Sequence, residues 1–275
     1  MPGIIKPIFW EPAKHIYLMA TDDRYRTYNC LESRLRRIPR FTPCNTNIHG
    51  WDLMIPDSAS FLSAFKEIFV QEIYAFKADI SSPKILDLGA NIGLSVLYFK
   101  RLYPKAEITA FEADPKIFQY LMKNVHGNGY TDVKLINKAA WHEDGIVKFC
   151  YEGADGGRVA YPGDEDLVEI DAVDISEFLK DREFDFLKMD IEGAEEFVFP
   201  ACKGYLPGMR FVFIEYHSKA GQSQSLDKII SIMTAASFRI HVHSVISSPS
   251  PFVELKVESG FDMQLNIFAW RGDDR

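Results

Sequence analysis

From Lys84 onward, short apolar runs alternate with stretches of helical periodicity. Lys84–Leu88 reads as a strand and Asn91–Leu102 as the helix that follows it. Glu107–Phe111 is the second strand, with a helix over Pro115–Val125, and Val133–Asn137 is the third. Phe184–Met189 and Phe211–Glu215 read as the fourth and fifth. Ser225–Ala236 reads as a helix with an apolar face at Leu226, Ile229, Ile230 and Met233. Apolar strands punctuated by helices predict βαβ units and a parallel sheet. Arg239–Val245 and Gln264–Trp270 form the last two strands, and the Ser/Pro/Gly-rich stretch 246–263 between them leaves no room for a crossover helix. An antiparallel closing hairpin is therefore expected. The predicted fold class is α/β, a doubly wound, mostly parallel seven-stranded sheet with an antiparallel C-terminal hairpin. Val147–Tyr151 and Leu167–Ile170 read as an inserted hairpin, joined by the Gly- and Asp-rich loop 153–166.

Residues 1–80 lack this alternation. They carry Pro, Arg and aromatics, and Ser58–Phe76 has a helical stripe at Phe61, Phe65, Ile68, Phe69 and Ile73. We expect an N-terminal lid or substrate subdomain over 1–80 and a cofactor-binding domain over 81–275, divided near Ser81-Ser82-Pro83.

Composition narrows the picture. A chain of 275 residues with 47% apolar content can bury one large core, with or without an appendage. The net charge of −8 argues against a polyanion such as nucleic acid as the main partner. Arg34, Arg36, Arg37 and Arg40, beside Leu35, Ile38 and Phe41, read as a solvated helix face. Cys30, Cys44, Cys150 and Cys202 form no CxxC pair, so buried free thiols are expected, although Cys30 and Cys44 could pair. No segment reaches the roughly 18 apolar residues of a membrane span. The start MPGIIKPIFWEPAKH has Pro and charge breaks and does not read as a signal peptide. A soluble, cytoplasmic protein is expected.

The strongest motif is Ile85-Leu86-Asp87-Leu88-Gly89-Ala90-Asn91-Ile92-Gly93, an apolar strand entering a glycine turn and then a helix. Gly89 permits unusual backbone angles, and Gly93 permits close packing or clearance for a ligand. The spacing departs from the GxGxxG dinucleotide fingerprint. Asp87 would set a carboxylate near the loop, which suits a ligand carrying an ammonium group. Glu112, at the end of the next strand, could accept hydrogen bonds from a ribose diol. Alternatively Asp87 is a helix N-cap partner and Glu112 a solvated loop acid. Ala139 and Ala140 leave room for an adenine, with Trp141 either its stacking face or a core residue.

These segments resemble the FkbM-type methyltransferases. The matching pieces are Leu86–Gly93, Phe111-Glu112-Ala113-Asp114-Pro115 and Leu121-Met122-Lys123-Asn124. They continue with Leu187-Lys188-Met189-Asp190-Ile191-Glu192-Gly193-Ala194-Glu195 and Ile214-Glu215-Tyr216-His217. The resemblance covers roughly residues 55–271. It implies a class I, Rossmann-like methyltransferase fold, S-adenosylmethionine as cofactor, and methyl transfer to a hydroxyl of a sugar, polyketide or similar small molecule or glycan. It carries over Asp87, Gly89, Asn91 and Glu112 as cofactor contacts. Gly93, Ala139 and Ala140 complete the expected cofactor site.

Methyl transfer to an alcohol is an in-line displacement in which the protein aligns the reactants and removes a proton. An alcohol needs a base or a metal to become a good nucleophile. Asp190 and Glu192 follow the fourth strand, and Glu215 and His217 end the fifth, on the edge where open α/β sheets bind ligands. His217 is the expected general base, with Asp190 and Glu215 beside it. Asp190, Glu192 and Glu215 could instead hold a divalent ion such as Mg²⁺. In a third reading they are structural, with Glu192 capping the helix near Gly193. Glu195 and Glu196 read as solvated first-turn acids. Gly156-Gly157 and the N-terminal segment are expected to form a mobile lid. The competing functions are a nucleotide-dependent oxidoreductase and a degenerate domain retained for cofactor binding.

Overall fold

The structure, a computed structural model, describes residues 10–153, 156–161, 163–165 and 167–272. Residues 1–9 of the start and 154, 155, 162 and 166 of the Gly-rich loop therefore lie outside the described residues.

Two helices lead, α1 (Trp10–Thr21) and α2 (Asp23–Leu35), the second capped by Asp22, which accepts from the amides of Arg24 and Tyr25. A hairpin of β1 (Cys44–Ile48) and β2 (Trp51–Ile55) follows. Its turn residues His49 and Gly50 both have positive φ, 55° and 85°, as a hairpin matched to strand twist requires. Helix α3 (Ser58–Phe65) continues into a π-helical turn over Lys66–Val70. The predicted apolar stripe sits here, with Phe65 and Phe69 stacked at 4.7 Å.

The alternating region then begins. It comprises β3 (Lys84–Leu88), α4 (Leu94–Leu102), β4 (Glu107–Phe111), α5 (Pro115–His126) and β5 (Lys134–Ile136). Next come β6 (Ala139–Trp141), β7 (Gly145–Cys150), β8 (Arg158–Val159), β9 (Leu167–Asp174) and α6 (Ile175–Leu179). The chain ends with β10 (Phe186–Met189), α7 (Glu195–Ala201), β11 (Phe211–Lys219), α8 (Leu226–Ala235), β12 (Arg239–Ile246) and β13 (Phe261–Trp270). The main sheet has seven strands in the order β12-β13-β11-β10-β3-β4-β5. All neighbours from β11 to β5 pair parallel, and β13 pairs antiparallel with both β11 and β12. The expected fold class and closing hairpin are those observed. The chain departs in opposite directions from β3 and β10, so their C-terminal ends form the topological switch point where such sheets open a crevice.

Three details differ from expectation. The first helix begins at Leu94, because Asn91 and Gly93 are left-handed (φ 48° and 96°) and belong to the turn. The inserted hairpin β7–β9 is antiparallel as predicted, but it lies in a separate four-stranded sheet ordered β6-β9-β7-β8. All four cysteines are free, yet only Cys202 is buried and Cys30 is exposed. No helix among the described residues is long and apolar enough to cross a membrane.

Period-2 alternation divides the sheet's faces. Leu86, Leu88, Leu187, Met189, Val212, Ile214 and Tyr216 pack on one side with α7 and α8. Ile85, Ile108, Phe186 and Phe213 pack on the other with α4 and α5. That second core also takes in Leu31, Leu53, Ile55, Phe61, Phe65 and Phe69 from the N-terminal segment.

Asn124 of α5 joins these parts. It is fully buried; its Nδ2 donates to the carbonyls of Met54 and Ile92, and its Oδ1 accepts from Met54 N. One amide thus ties β2 and the glycine loop to α5. Asn124→Ala leaves one N–H and two carbonyls without these bonds, at roughly 1 kcal/mol or more each, so a loss of about 2–4 kcal/mol is expected. Urea denaturation measures it, and an unchanged midpoint would contradict the role.

Candidate active site

The loop after β3 is held by its own hydrogen bonds. The amides of Gly89 and Ala90 both donate to Phe111 O, at 3.0 and 2.8 Å. Asn91 N donates to Glu112 Oε2 (2.8 Å), Ile92 N to Asn91 Oδ1 (2.6 Å) and Gly93 N to Ala90 O (2.9 Å). Every amide from Gly89 to Gly93 is committed within the fold, so this loop offers no bare N–H row of the kind that cradles a pyrophosphate. The dinucleotide reading loses its binding element here.

Gly89 has φ +84°, and a Cβ there would stand 1.8 Å from the carbonyl oxygen of Asp190. Gly93 serves packing: its Cβ would strike Val125 and Leu121 at 2.8 and 2.9 Å. Of the two uses considered for Gly93, close packing is the one found, and it does not line the cavity.

A cavity of about 940 Å³ opens at the strand ends. Gly89, Asn91, Glu112, Ala139, Ala140, Asp190, Glu192, Glu215 and His217 all line it, so one space gathers most of the expected site. Asp87 does not. Alternation turns it to the α4 side, where it is fully buried, accepts from Ser95 Oγ (2.5 Å) and stands 3.3 Å from Lys188 Nζ. The expected direct contact with a ligand's ammonium is replaced by an internal one. Trp141 also lies off the cavity, its ring 5.4 Å from Phe197.

Glu112 is 9% exposed, and its second oxygen, Oε1, accepts from Asp114 N (2.9 Å). Burial lifts its carboxyl to about 7, against the pull of those two backbone bonds.

At the other end, Lys188 is 2% exposed on β10, in register with Asp87. Its Nζ donates to Gly89 O and stands 3.4 Å from Asp190. Burial opposes the charge, but Asp87 and then Asp190 outweigh it and the pKa is raised. His217 is 6% exposed, with Nε2 3.5 Å from Glu192 and Nδ1 3.4 Å from Glu195. Burial again opposes charge, yet Glu192, then Glu195 and Glu215, raise its pKa well above the ordinary histidine value. The acids around it favour the charged imidazole and so oppose the free-base role expected from the sequence. Glu215 is raised well above the carboxylate range by burial and then by Asp190, and it accepts from Gln264.

Glu195 corrects a second expectation. It is 0% exposed and accepts from Ile191 N (2.9 Å) and Gly193 N (3.1 Å), tying off the turn that precedes α7. Glu195, not Glu192, is the acid that holds this helix start. Glu192 itself is left-handed, φ 55°, followed by Gly193 at 98°.

Several lining residues escaped the sequence reading. Arg40, placed on a solvated face, lines the cavity and pairs with buried Asp57 (2.8 Å). Ser60, Ser63 and Glu67 line it from α3 and its π-helical extension, opposite Arg158 of β8. Lys188 had a readable signal: a lone charge inside an apolar strand must find partners.

The sheet order and crevice define a class I methyltransferase fold. The chain belongs to the FkbM methyltransferase family, whose domain profile matches residues 87–240. It is 28% identical over 155 residues to Methyltransferase 1 of Beauveria bassiana, covering 47% of this chain and 62% of that one. It is 26% identical over 156 residues to 2-O-methyltransferase NoeI of Sinorhizobium fredii, covering 49% and 63%. The chain thus spans less than two thirds of the length of either relative. Among solved structures, the SAM-dependent methyltransferase from Agrobacterium tumefaciens matches with TM-score 0.50 and 11% identity, covering 85% of this chain and 71% of that one, a likeness of fold.

Gly89→Ala should destabilise the protein by more than about 3 kcal/mol, since both its φ and the Asp190 carbonyl forbid a side chain. Gly204→Ala, with nothing within 4 Å, serves as the control. Equal denaturation midpoints for the two variants would contradict the role given to Gly89.

Proposed function

We propose that the chain is an S-adenosylmethionine-dependent methyltransferase that methylates a hydroxyl oxygen of a sugar, polyketide or related small molecule. The observation that carries this is the pairing of Glu112 with a loop whose amides are already used. Such a site can take a ribose diol but has no cradle for a pyrophosphate. The residues fit the cofactor on that test. Each Glu112 oxygen accepts one backbone bond and keeps capacity for a hydroxyl. Ala139 and Ala140 keep the neighbouring wall free of bulk. When bound, S-adenosylmethionine supplies a methyl group on a sulfonium, which leaves as a neutral thioether.

The chain's own residues then have separate duties. Glu112 orients the nucleoside. Glu112 follows β4 and His217 lies on β11, three strand spacings away, or about 14 Å. That span fits a nucleoside at one end and an acceptor at the other. Asp190 and Glu192, each about a quarter exposed, face the acceptor end and can orient its hydroxyl. Ser60, Ser63, Asp57 and Arg40 give that end the mixed polar wall a polyhydroxylated acceptor would use. The name of the NoeI relative, a 2-O-methyltransferase, supports oxygen as the target. Residues 10–80 act, on this reading, as the substrate wall of the domain that begins at 81, and loop 156–161 as its cover.

Titration with S-adenosylhomocysteine should give 1:1 binding, weakened tenfold or more by Glu112→Ala; unchanged affinity would sink the nucleoside site. Glu112 titrates near 7 in the free protein. A diol donating to its carboxylate favours the ionised form and lowers that pKa. Binding should therefore release a proton below pH 7, and affinity should rise by up to about tenfold per pH unit toward 7, then level off. Glu112→Gln should flatten the profile, as read by calorimetry in two buffers. Methylation of candidate acceptors tests turnover.

A further inference from the structure

We propose that Asp190, Glu192 and His217 Nε2 form a divalent-cation site at the acceptor end of the cavity. A ligand atom from each lies within 4.8 Å of the others. Two ligands about 2.1–2.4 Å from one ion stand at most roughly 4.2–4.8 Å apart, so a small contraction of the partly exposed carboxylates closes the set. The parts come from separate elements. Alternation along β11 brings His217 to the cavity face beside Glu215. The left-handed pair Glu192-Gly193 turns the chain after β10 so that the Glu192 carboxylate stands 3.5 Å from His217 Nε2. A left-handed non-glycine residue is strained and is kept where surrounding structure imposes it.

The independent observation is the histidine itself. Its side chain is only 2% exposed, and Nδ1 is a buried nitrogen without an aligned hydrogen-bond partner. Behind it stands Glu195, 3.4 Å from Nδ1 and fixed by the amides of Ile191 and Gly193. A carboxylate behind Nδ1 holds one proton there, and a cation at Nε2 would displace the other, the arrangement found behind histidines that ligate metals. Charge points the same way. Asp87 and Asp190 stand beside Lys188, and Glu192 and Glu195 beside the imidazole, with Glu215 near Asp190 and Glu192. Glu215, considered as a ligand from sequence, gives way to His217, because its carboxylate is engaged by Gln264. Two carboxylates and one imidazole leave coordination positions open toward the cavity for an acceptor oxygen and water. A cation there would polarise and orient that oxygen. This consequence rests on the methyl-transfer reading; the ligand set does not.

The test uses Mn²⁺ with the whole chain, free of cofactor and acceptor. Loss of the free-ion paramagnetic resonance signal should report one site per chain, displaced by Mg²⁺. Asp190→Asn, Glu192→Gln and His217→Gln should each weaken binding tenfold or more. Glu177→Gln, at an exposed position of α6, should leave it unchanged and so exclude general attraction to an acidic surface. Calorimetry of the same variants with S-adenosylhomocysteine shows that the fold survives and tests the cofactor reading separately. Mn²⁺ binding without S-adenosylhomocysteine binding would keep the cation site and remove the methyltransferase reading. No Mn²⁺ bound at millimolar concentration, or a site indifferent to all three substitutions, overturns the proposal.

Discussion

Lys188 places a positive charge in the middle of the sheet, on a strand packed on both faces. Removing an ion from water costs several kcal/mol unless charges and hydrogen bonds replace the solvent. Here Asp87 sits at 3.3 Å, Asp190 at 3.4 Å, and the Gly89 carbonyl accepts directly. Those three partners belong to β3, to the turn after β10 and to the glycine loop. One buried cation therefore fixes the relative positions of the loop and the acid cluster. Take it away, and two buried or half-buried carboxylates repel each other at the switch point of the fold.

The same interaction explains why Asp87 is not where its motif suggested. A carboxylate next to a glycine loop suggests an electrostatic partner for a ligand. The register of β3 against β10 had already supplied that partner from within, and Ser95 satisfies a second lone pair. What lines the cavity is the loop itself, through Gly89, Ala90, Asn91 and Ile92, with Asp87 buried behind it. Glu195 shows the reverse case. It looks like an ordinary first-turn acid, but the tight turn through Glu192 and Gly193 draws its carboxylate inward onto two amides.

Much of the architecture was legible because period and punctuation carry it. The strands Lys84–Leu88 and Glu107–Phe111 have the boundaries their apolar runs predict, and the closing hairpin follows from a stretch too polar for a helix. The start of α4 was misplaced because left-handed Asn91 and Gly93 leave no mark on hydrophobic periodicity. At the site, Glu112, Asp190, Glu192, Glu215 and His217 were found from their places at strand ends, which is a topological signal. Arg40, Ser60 and Glu67 were not. They reach the cavity through packing of the N-terminal segment across α4 and α5, a long-range contact that no local pattern encodes. Charge states were least legible of all, since the protonation of His217 depends on three acids from two separate segments.

The hydrogen bonds inside the glycine loop have an evolutionary consequence. Four of the five amides there end on backbone carbonyls or on the loop's own Asn91, and the fifth ends on Glu112. Substitution elsewhere around the cavity leaves those bonds untouched, so the closed row of amides, which offers no cradle to a pyrophosphate, is insulated from drift. The opposite wall is drawn by side chains of α3, β8 and the first connecting segments, none of which shares that backbone duty. Mutation can redraw that wall one residue at a time without disturbing the loop. Such a scaffold separates the part of the cavity that backbone bonds hold fixed from the part that side chains alone draw.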